Sequence, residues 1–330
     1  MPTFEEYVGS SHDRFDEVLI DFLKIPSVSA ASEHAGDMEA AAAWLQTFFE
    51  EIGFTVEIVR GEGHPIVIAR SPKKDDRPTV LVYGHYDVQP PEPLELWTSP
   101  PFDPQVRDGA VYARGACDNK GQILTHMLSV RSMLETEGDL PVNVIFVVEG
   151  EEEIGSHLLE KYLDEHAGEL ACDYVVVSDS AQFGPGQPAI TCGLRGIAYF
   201  ELRLRGAKRD LHSGTFGGGV TNPANVLVEM LASMRNPDGS VAVPGFYDDV
   251  IPLLDEERKQ FASLPFDEQA YFAELDVNGA TGEEGYTILE RRWARPSYDV
   301  NGLDSGYQGE GAKTVIPNTA VAKFSFRLVP

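Results

Sequence analysis

The sequence is poor in cysteine. It has Cys117, Cys172 and Cys192 only, an odd number with no CxxC spacing. A disulfide scaffold and a thiolate zinc site are thereby excluded as organising features, and three reduced, mostly buried thiols are expected instead. Basic residues are scarce as well: 26 Lys and Arg stand against 53 Asp and Glu, a formal net charge of -27. Such a surface repels phosphate backbones and anionic lipid, which argues against nucleic acid and membrane partners and suits divalent cations. No apolar run approaches the ~18 residues a membrane helix needs, and the N-terminus has no basic stretch followed by an apolar one. A cytoplasmic location is the expectation. The glycine-rich GTFGGG lacks the Gly-Lys-Ser/Thr ending of a phosphate-binding Walker loop.

What is present is a globular composition over 330 residues, with 42% hydrophobic and 24% charged side chains. That length favours two domains, because single cores tend to stop growing near ~250 residues. Apolar positions at three- and four-residue steps predict an N-terminal helix or helix pair ending before Pro26. A second helix carries Met38, Ala41, Ala42, Leu45, Phe48, Phe49 and Ile52 on one stripe, with Asp37 as its cap and Gly53 as its left-handed stop. Strands are expected at 55–59, 65–70, 79–83, 142–148 and 174–177, with a helix at 120–137. Helices alternating with short apolar strands make an α/β layered domain. Near 190–196 the pattern turns to the alternating AYFELRLRG, so the boundary is placed there, with residues 1–192 and 193–330 as the two domains.

Acidic or histidine-bearing segments follow the apolar runs: His85 and Asp87 after TVLVYG, Asp118 in ARGACDNKG, Glu151 and Glu152 after VNVIFVVEG, and Asp179 after DYVVVS. Imidazole and carboxylate suit zinc, manganese or cobalt, and strand ends of an open α/β sheet are where distant ligands converge. His85 and Asp87, two apart, leave an extended strand on one face, so Asp87 can orient a ligating imidazole. Each segment alone has an ordinary alternative. Asp87 would cap a turn, Asp118 would cap a helix, and Glu149 to Glu153 would form a solvated acidic loop. Four strand-then-acid segments together favour a metal site and hydrolysis by an activated water.

The segments GHYDVQP, RGACDNKG, EGEEEIGS, VVSDS, LRGIAYFELRLRG, DLHSGTFGG and GAKTVIPNTAVAKFSFRLVP resemble the M20 metallopeptidases, in their branch of cytosolic nonspecific dipeptidases and carnosinase-like enzymes. The resemblance implies an α/β/α sandwich catalytic domain plus a smaller α+β lid that forms a homodimer. It implies two divalent ions, zinc first with manganese or cobalt as alternatives, and a dipeptide or short-peptide substrate. By the same resemblance His85, Asp118, Glu152 and Asp179 are ligands, Asp118 bridging; Asp87 steadies His85, and Glu151 is the general base. His212 polarises the scissile carbonyl across the dimer, while Thr314 and Arg327 hold the substrate carboxylate. For His212 the alternative is a surface histidine on a turn, and for Arg327 a structural salt bridge.

The family's site also has a histidine ligand far downstream, yet no histidine follows His212 here. The expectation is a fragment or a truncated protein that lacks the return segment of the catalytic domain. Two further readings remain beside the dipeptidase: an N-acyl amino acid deacylase, and a non-catalytic peptide-binding or dimerisation module.

Overall fold

Strands whose side chains are apolar on both faces need cover on both sides, and the first part of the chain provides it. The computed structural model describes residues 2–184 and 186–330. It separates into two units, Met1–Ile190 and Thr191–Pro330. Helices α1 (Phe4–Ser10), α2 (His12–Leu23) and α3 (Ala35–Glu51) lead into strands β1 (Thr55–Val59), β2 (Ile66–Arg70) and β3 (Thr79–His85). A hairpin of β4 (Gln105–Arg107) and β5 (Ala110–Tyr112) precedes α4 (Lys120–Glu137). Strand β6 (Asn143–Glu149), helix α5 (His157–His166) and strand β7 (Tyr174–Val177) follow.

The main sheet has the order β1-β2-β6-β3-β7. Strands β6, β3 and β7 run parallel, while β1 and β2 join antiparallel. Alternate residues go to opposite layers. Val67, Ala69, Val82, Val144, Phe146 and Val148 pack with α2, α3 and α4, whereas Ile66, Ile68, Leu81, Ile145 and Val147 pack with Leu158, Leu159 and Tyr162 of α5. This is the expected α/β/α sandwich. Full burial of a Phe or Leu side chain contributes about 1.5–3 kcal/mol, so the two layers together hold the strand ends in register.

Two local expectations are corrected. Asp37 does not cap α3. The helix begins earlier, at Ala35, and Asp37 in its first turn meets His34 Nδ1 at 2.7 Å. The thiols are not mostly buried either: Cys117 and Cys192 are exposed in loops, and Cys172 is half-buried against the layer formed with α5. Gly53 does take a positive φ, +83°, just past α3.

The second unit has β8 (Gly196–Arg205), β9 (Leu211–His212), α6 (Ser213–Phe216), α7 (Pro223–Ser233), α8 (Asp255–Ser263), α9 (Glu268–Glu274), α10 (Ile288–Trp293), β10 (Ser297–Ser305), β11 (Val315–Ile316) and β12 (Thr319–Leu328). Strands β10, β12 and β8 form an antiparallel sheet. Leu227 and Leu231 of α7 cover Ala320, Ala322, Phe324 and Phe326 on one face. Asn222 caps α7, its side chain accepting from Ala224 N.

Candidate metal centre

Three parallel strands end together. Register pairs His85 of β3 with Glu149 of β6, and Tyr83 of β3 with Val177 of β7. The residues that follow, Asp87, Glu151 to Glu153 and Asp179, therefore emerge at one edge of the sheet, where the carboxyl ends of parallel strands open onto a crevice.

His85 is fully buried. Its Nδ1 lies 3.0 Å from the Asp87 carbonyl and 3.3 Å from Asp87 Oδ1. A carbonyl only accepts, so Nδ1 must carry the proton, and in the neutral ring Nε2 is a bare lone pair. That Nε2 is buried with no hydrogen-bond partner among the described residues. It faces Asp118 Oδ1 at 3.2 Å and Asp179 Oδ2 at 3.6 Å. Lone pair against carboxylates is repulsive unless positive charge stands between them. Burial opposes charge on the ring, yet Asp179 and Asp87 outweigh it and lift His85 to about 11. The adjacent His85 ring in turn holds Asp179 below the usual carboxylate range, against the opposing effect of burial.

Glu152 joins this group, since one ligand atom each from His85, Glu152 and Asp179 lie within 4.8 Å of one another. Burial raises the Glu152 carboxyl above its ordinary value, with His85 opposing and Glu153 and Asp179 adding to the rise. Glu153 is raised by burial too, and Asp118 is among the charges acting on it. Its Oε2 accepts from Gln89 Nε2 at 2.7 Å. The buried carboxylate of Asp87 accepts from the backbone of both Glu152 (3.2 Å) and Glu153 (3.1 Å), which fixes the acidic turn relative to His85. An imidazole nitrogen with several carboxylate oxygens is a donor set for zinc, manganese or cobalt, and the unpartnered Nε2 is aimed into it. The residues present fit a divalent ion.

Glu151, expected as the general base, is hydrogen-bonded at the start of α5. Its carboxylate is buried, Oε2 accepts from Leu158 N at 3.1 Å, and an added Cβ at Gly63 would run into it. The side chain thus caps the start of α5 and stands outside the group formed by His85, Glu152 and Asp179. The physical reason is the turn geometry. Glu151 precedes a 3-10 turn over Glu152–Ile154, which sends successive side chains in different directions. Asp118 is exposed, and the helix-start position beside it is taken by Asn119.

His212, Thr314 and Arg327 lie in the second unit. Strands β9 and β11 pair His212 with Val315, and His212 Nε2 sits 3.2 Å from Thr314 Oγ1. Gly214 N donates to His212 Nδ1 at 3.1 Å, so the neutral ring carries its proton on Nε2. A Cβ on Gly214 would stand 2.9 Å from the ring, so glycine is what allows this approach. Arg327 on β12 is exposed. Glu153, Gln89 and Asn119 were missed by motif reasoning. A third consecutive glutamate was visible, but nothing in the sequence says which of three neighbours turns inward.

Fold and donor set define the class: an α/β protein with a candidate cation site at the ends of parallel strands. The chain belongs to Peptidase family M20/M25/M40, which matches residues 81–322, and the resemblance carried by the motifs is borne out. It is 37% identical to Beta-Ala-His dipeptidase of Rattus norvegicus, over 81% of this chain and 54% of that protein. It is 33% identical to Cys-Gly metallodipeptidase DUG1 of Candida albicans, over 96% of this chain and 69% of that one. The solved structure of an M20 family metallo-carboxypeptidase, Sso-CP2 from Sulfolobus solfataricus, superposes with a TM-score of 0.85 at 35% identity, covering 96% of this chain and 71% of that one. The chain spans about half the length of the first curated relatives it matches.

Proposed function

We propose that the protein of which this chain is part hydrolyses dipeptides at a centre of two divalent ions, zinc before manganese or cobalt. The observation that carries this is the buried Nε2 of His85, which has no hydrogen-bond partner among the described residues and faces the carboxylates of Asp118 and Asp179. The curated relatives, which are named as dipeptidases, supply the substrate class. His85, Asp179 and Asp118 would hold one ion, and Asp118 with Glu153 would contribute to the other. Bound there, the ions supply Lewis acidity, which acidifies a water and polarises a carbonyl.

The chain's own groups do the remaining work. Glu152 takes over the base role first expected of Glu151. Its carboxyl is raised by burial, and among the described residues no hydrogen bond restrains its oxygens, whereas the Glu151 carboxylate is occupied at the helix start. Glu152 accepts the proton of the attacking water and returns it to the leaving amine. His212 presents Nε2–H as a donor to the developing oxyanion, its tautomer held by Gly214. Arg327 and Thr314 take the substrate's free carboxylate, for which a planar guanidinium offers two parallel donors. The same reading includes a cytoplasmic location and a homodimer through the second unit, the dimer supported by the exposed apolar residues Ile197 and Tyr199 on one face of strand β8.

Glu152→Gln and Glu151→Gln, assayed on Ala-Ala with metal content measured alongside, test the assignment in the full-length protein. Turnover is expected to fall at least about 100-fold in the first with both ions retained, and to change little in the second. Loss of an ion from Glu152→Gln would return that residue to the ligand role, and hydrolysis of N-acetyl-alanine in preference to Ala-Ala would overturn the substrate class.

A further inference from the structure

Asn119 is almost completely buried, at 1% exposure, between two strand ends. Its side-chain Oδ1 accepts from His85 N at 3.3 Å. Its Nδ2 donates to Ser178 O at 3.2 Å and to Asp179 Oδ1 at 3.1 Å. Only one orientation of the amide satisfies all three, because the His85 N–H must meet oxygen while the Ser178 carbonyl and the Asp179 carboxylate must meet N–H. The chain leaves room for it: a Cβ on Gly84 would stand 2.8 Å from Asn119 Oδ1. One amide therefore ties the ends of β3 and β7 together, and both of its neighbours in space, His85 and Asp179, face the candidate ion.

The consequence lies in which oxygen of Asp179 is left over. Oδ1 is occupied by Asn119, while Oδ2 is the atom 3.6 Å from His85 Nε2. We propose that Asn119 is a positioning residue that commits Asp179 to bind a divalent ion through Oδ2 alone, and fixes its distance from His85 by bonding to both strand ends. This deepens the proposed metal centre and rests on it. The bond to Asn119 holds the carboxylate in one orientation, with Oδ2 turned toward His85, so the amide biases the site toward a one-oxygen grip without touching the ion. Partners of this kind, when removed, typically cost about 10–100-fold in metal affinity.

Titration of the metal-free chain with Co2+, read by equilibrium dialysis and by visible absorption, tests this without an activity assay. Wild type is expected to bind Co2+. Asn119→Ala should bind it about 10–100-fold more weakly with altered absorption bands. Asn119→Asp, which keeps the acceptor and the shape but loses the donor, should also bind more weakly with altered bands, and it covers the case in which the alanine variant does not fold. In an Asp179→Ala background, Asn119→Asp should cause little further loss, since the two act through one carboxylate. If a folded Asn119 variant takes up Co2+ with wild-type affinity and bands, the positioning role is wrong while the metal centre stands. If wild type itself takes up none, the metal centre falls and this inference with it.

Discussion

In the Thr191–Pro330 unit the buried charges come in matched pairs. Arg295 donates to Glu283 through Nε at 2.8 Å and Nη2 at 2.6 Å, and its guanidinium lies over the rings of Tyr286 and Tyr247. Arg258 donates in the same way to the buried Glu290. At the strand ends of the Met1–Ile190 unit, Asp87, Asp118, Glu152, Glu153 and Asp179 surround a single imidazole. Lys120, the buried ammonium of that unit, is committed elsewhere, to the Phe22 and Ile25 carbonyls. Where a charge serves only the fold, the chain supplies the opposite charge itself. Where carboxylates are left in excess, the compensating charge has to come from outside.

The sharpest way to break the comparison is to remove a compensating charge. Arg295→Met leaves the partly buried Glu283 without its cation, and the second unit is expected to lose about 3 kcal/mol, read by urea denaturation. A smaller loss would mean that water already screens that pair. Next, a divalent ion at about 100 times its dissociation constant should stabilise the first unit by about 2.7 kcal/mol, and His85→Ala should abolish the effect. Hydrogen exchange resolved by segment is the measurement, and protection spread equally over both units would contradict a site confined to one.

The third prediction concerns Lys120. Burial pushes its ammonium down to about 7 from an ordinary 10.5, against the pull of Asp87 and Asp37. Below about 7 the side chain is charged in both states and the desolvation cost is fully present; above 10.5 it is neutral in both and the cost is gone. Between those values the unfolded chain binds more protons, so stability rises with pH by up to about 1.4 kcal/mol per unit. The stability difference between wild type and Lys120→Met, followed by urea denaturation across that window, should carry this slope. A flat difference would show Lys120 to be solvated. The smallest effect is expected at Glu151. Its replacement by Gln keeps the hydrogen bond to Leu158 N but removes a charge from the start of α5, costing about 0.3–1 kcal/mol in thermal unfolding and leaving metal uptake unchanged.

Much of the first unit was legible because its elements announce themselves locally. The strands at 55–59 and 174–177 and the helix at 120–137 appear at the expected residues, since apolar runs and three-and-four periodicity are short-range properties. His85, Asp118, Glu152 and Asp179 were visible as candidates because each follows such a run. The direction of each side chain was not visible. Three consecutive glutamates look alike in sequence, yet Glu151 turns to the start of α5, Glu152 turns to His85, and Glu153 is bonded by Gln89. Asp37 was misjudged for a related reason: its neighbour His34 offers it a ring nitrogen, and the helix starts two residues ahead of it.

By itself the sequence determined the family, the alternation of helix and strand, and a set of acids and one histidine placed after apolar strands. These follow from patterns that span a few residues. Only the tertiary structure decided which carboxylates share the space around His85 Nε2, and that Asn119 bridges two of the segments that carry them. Those distances depend on three parallel strands ending in register, and register is a relation between residues far apart along the chain.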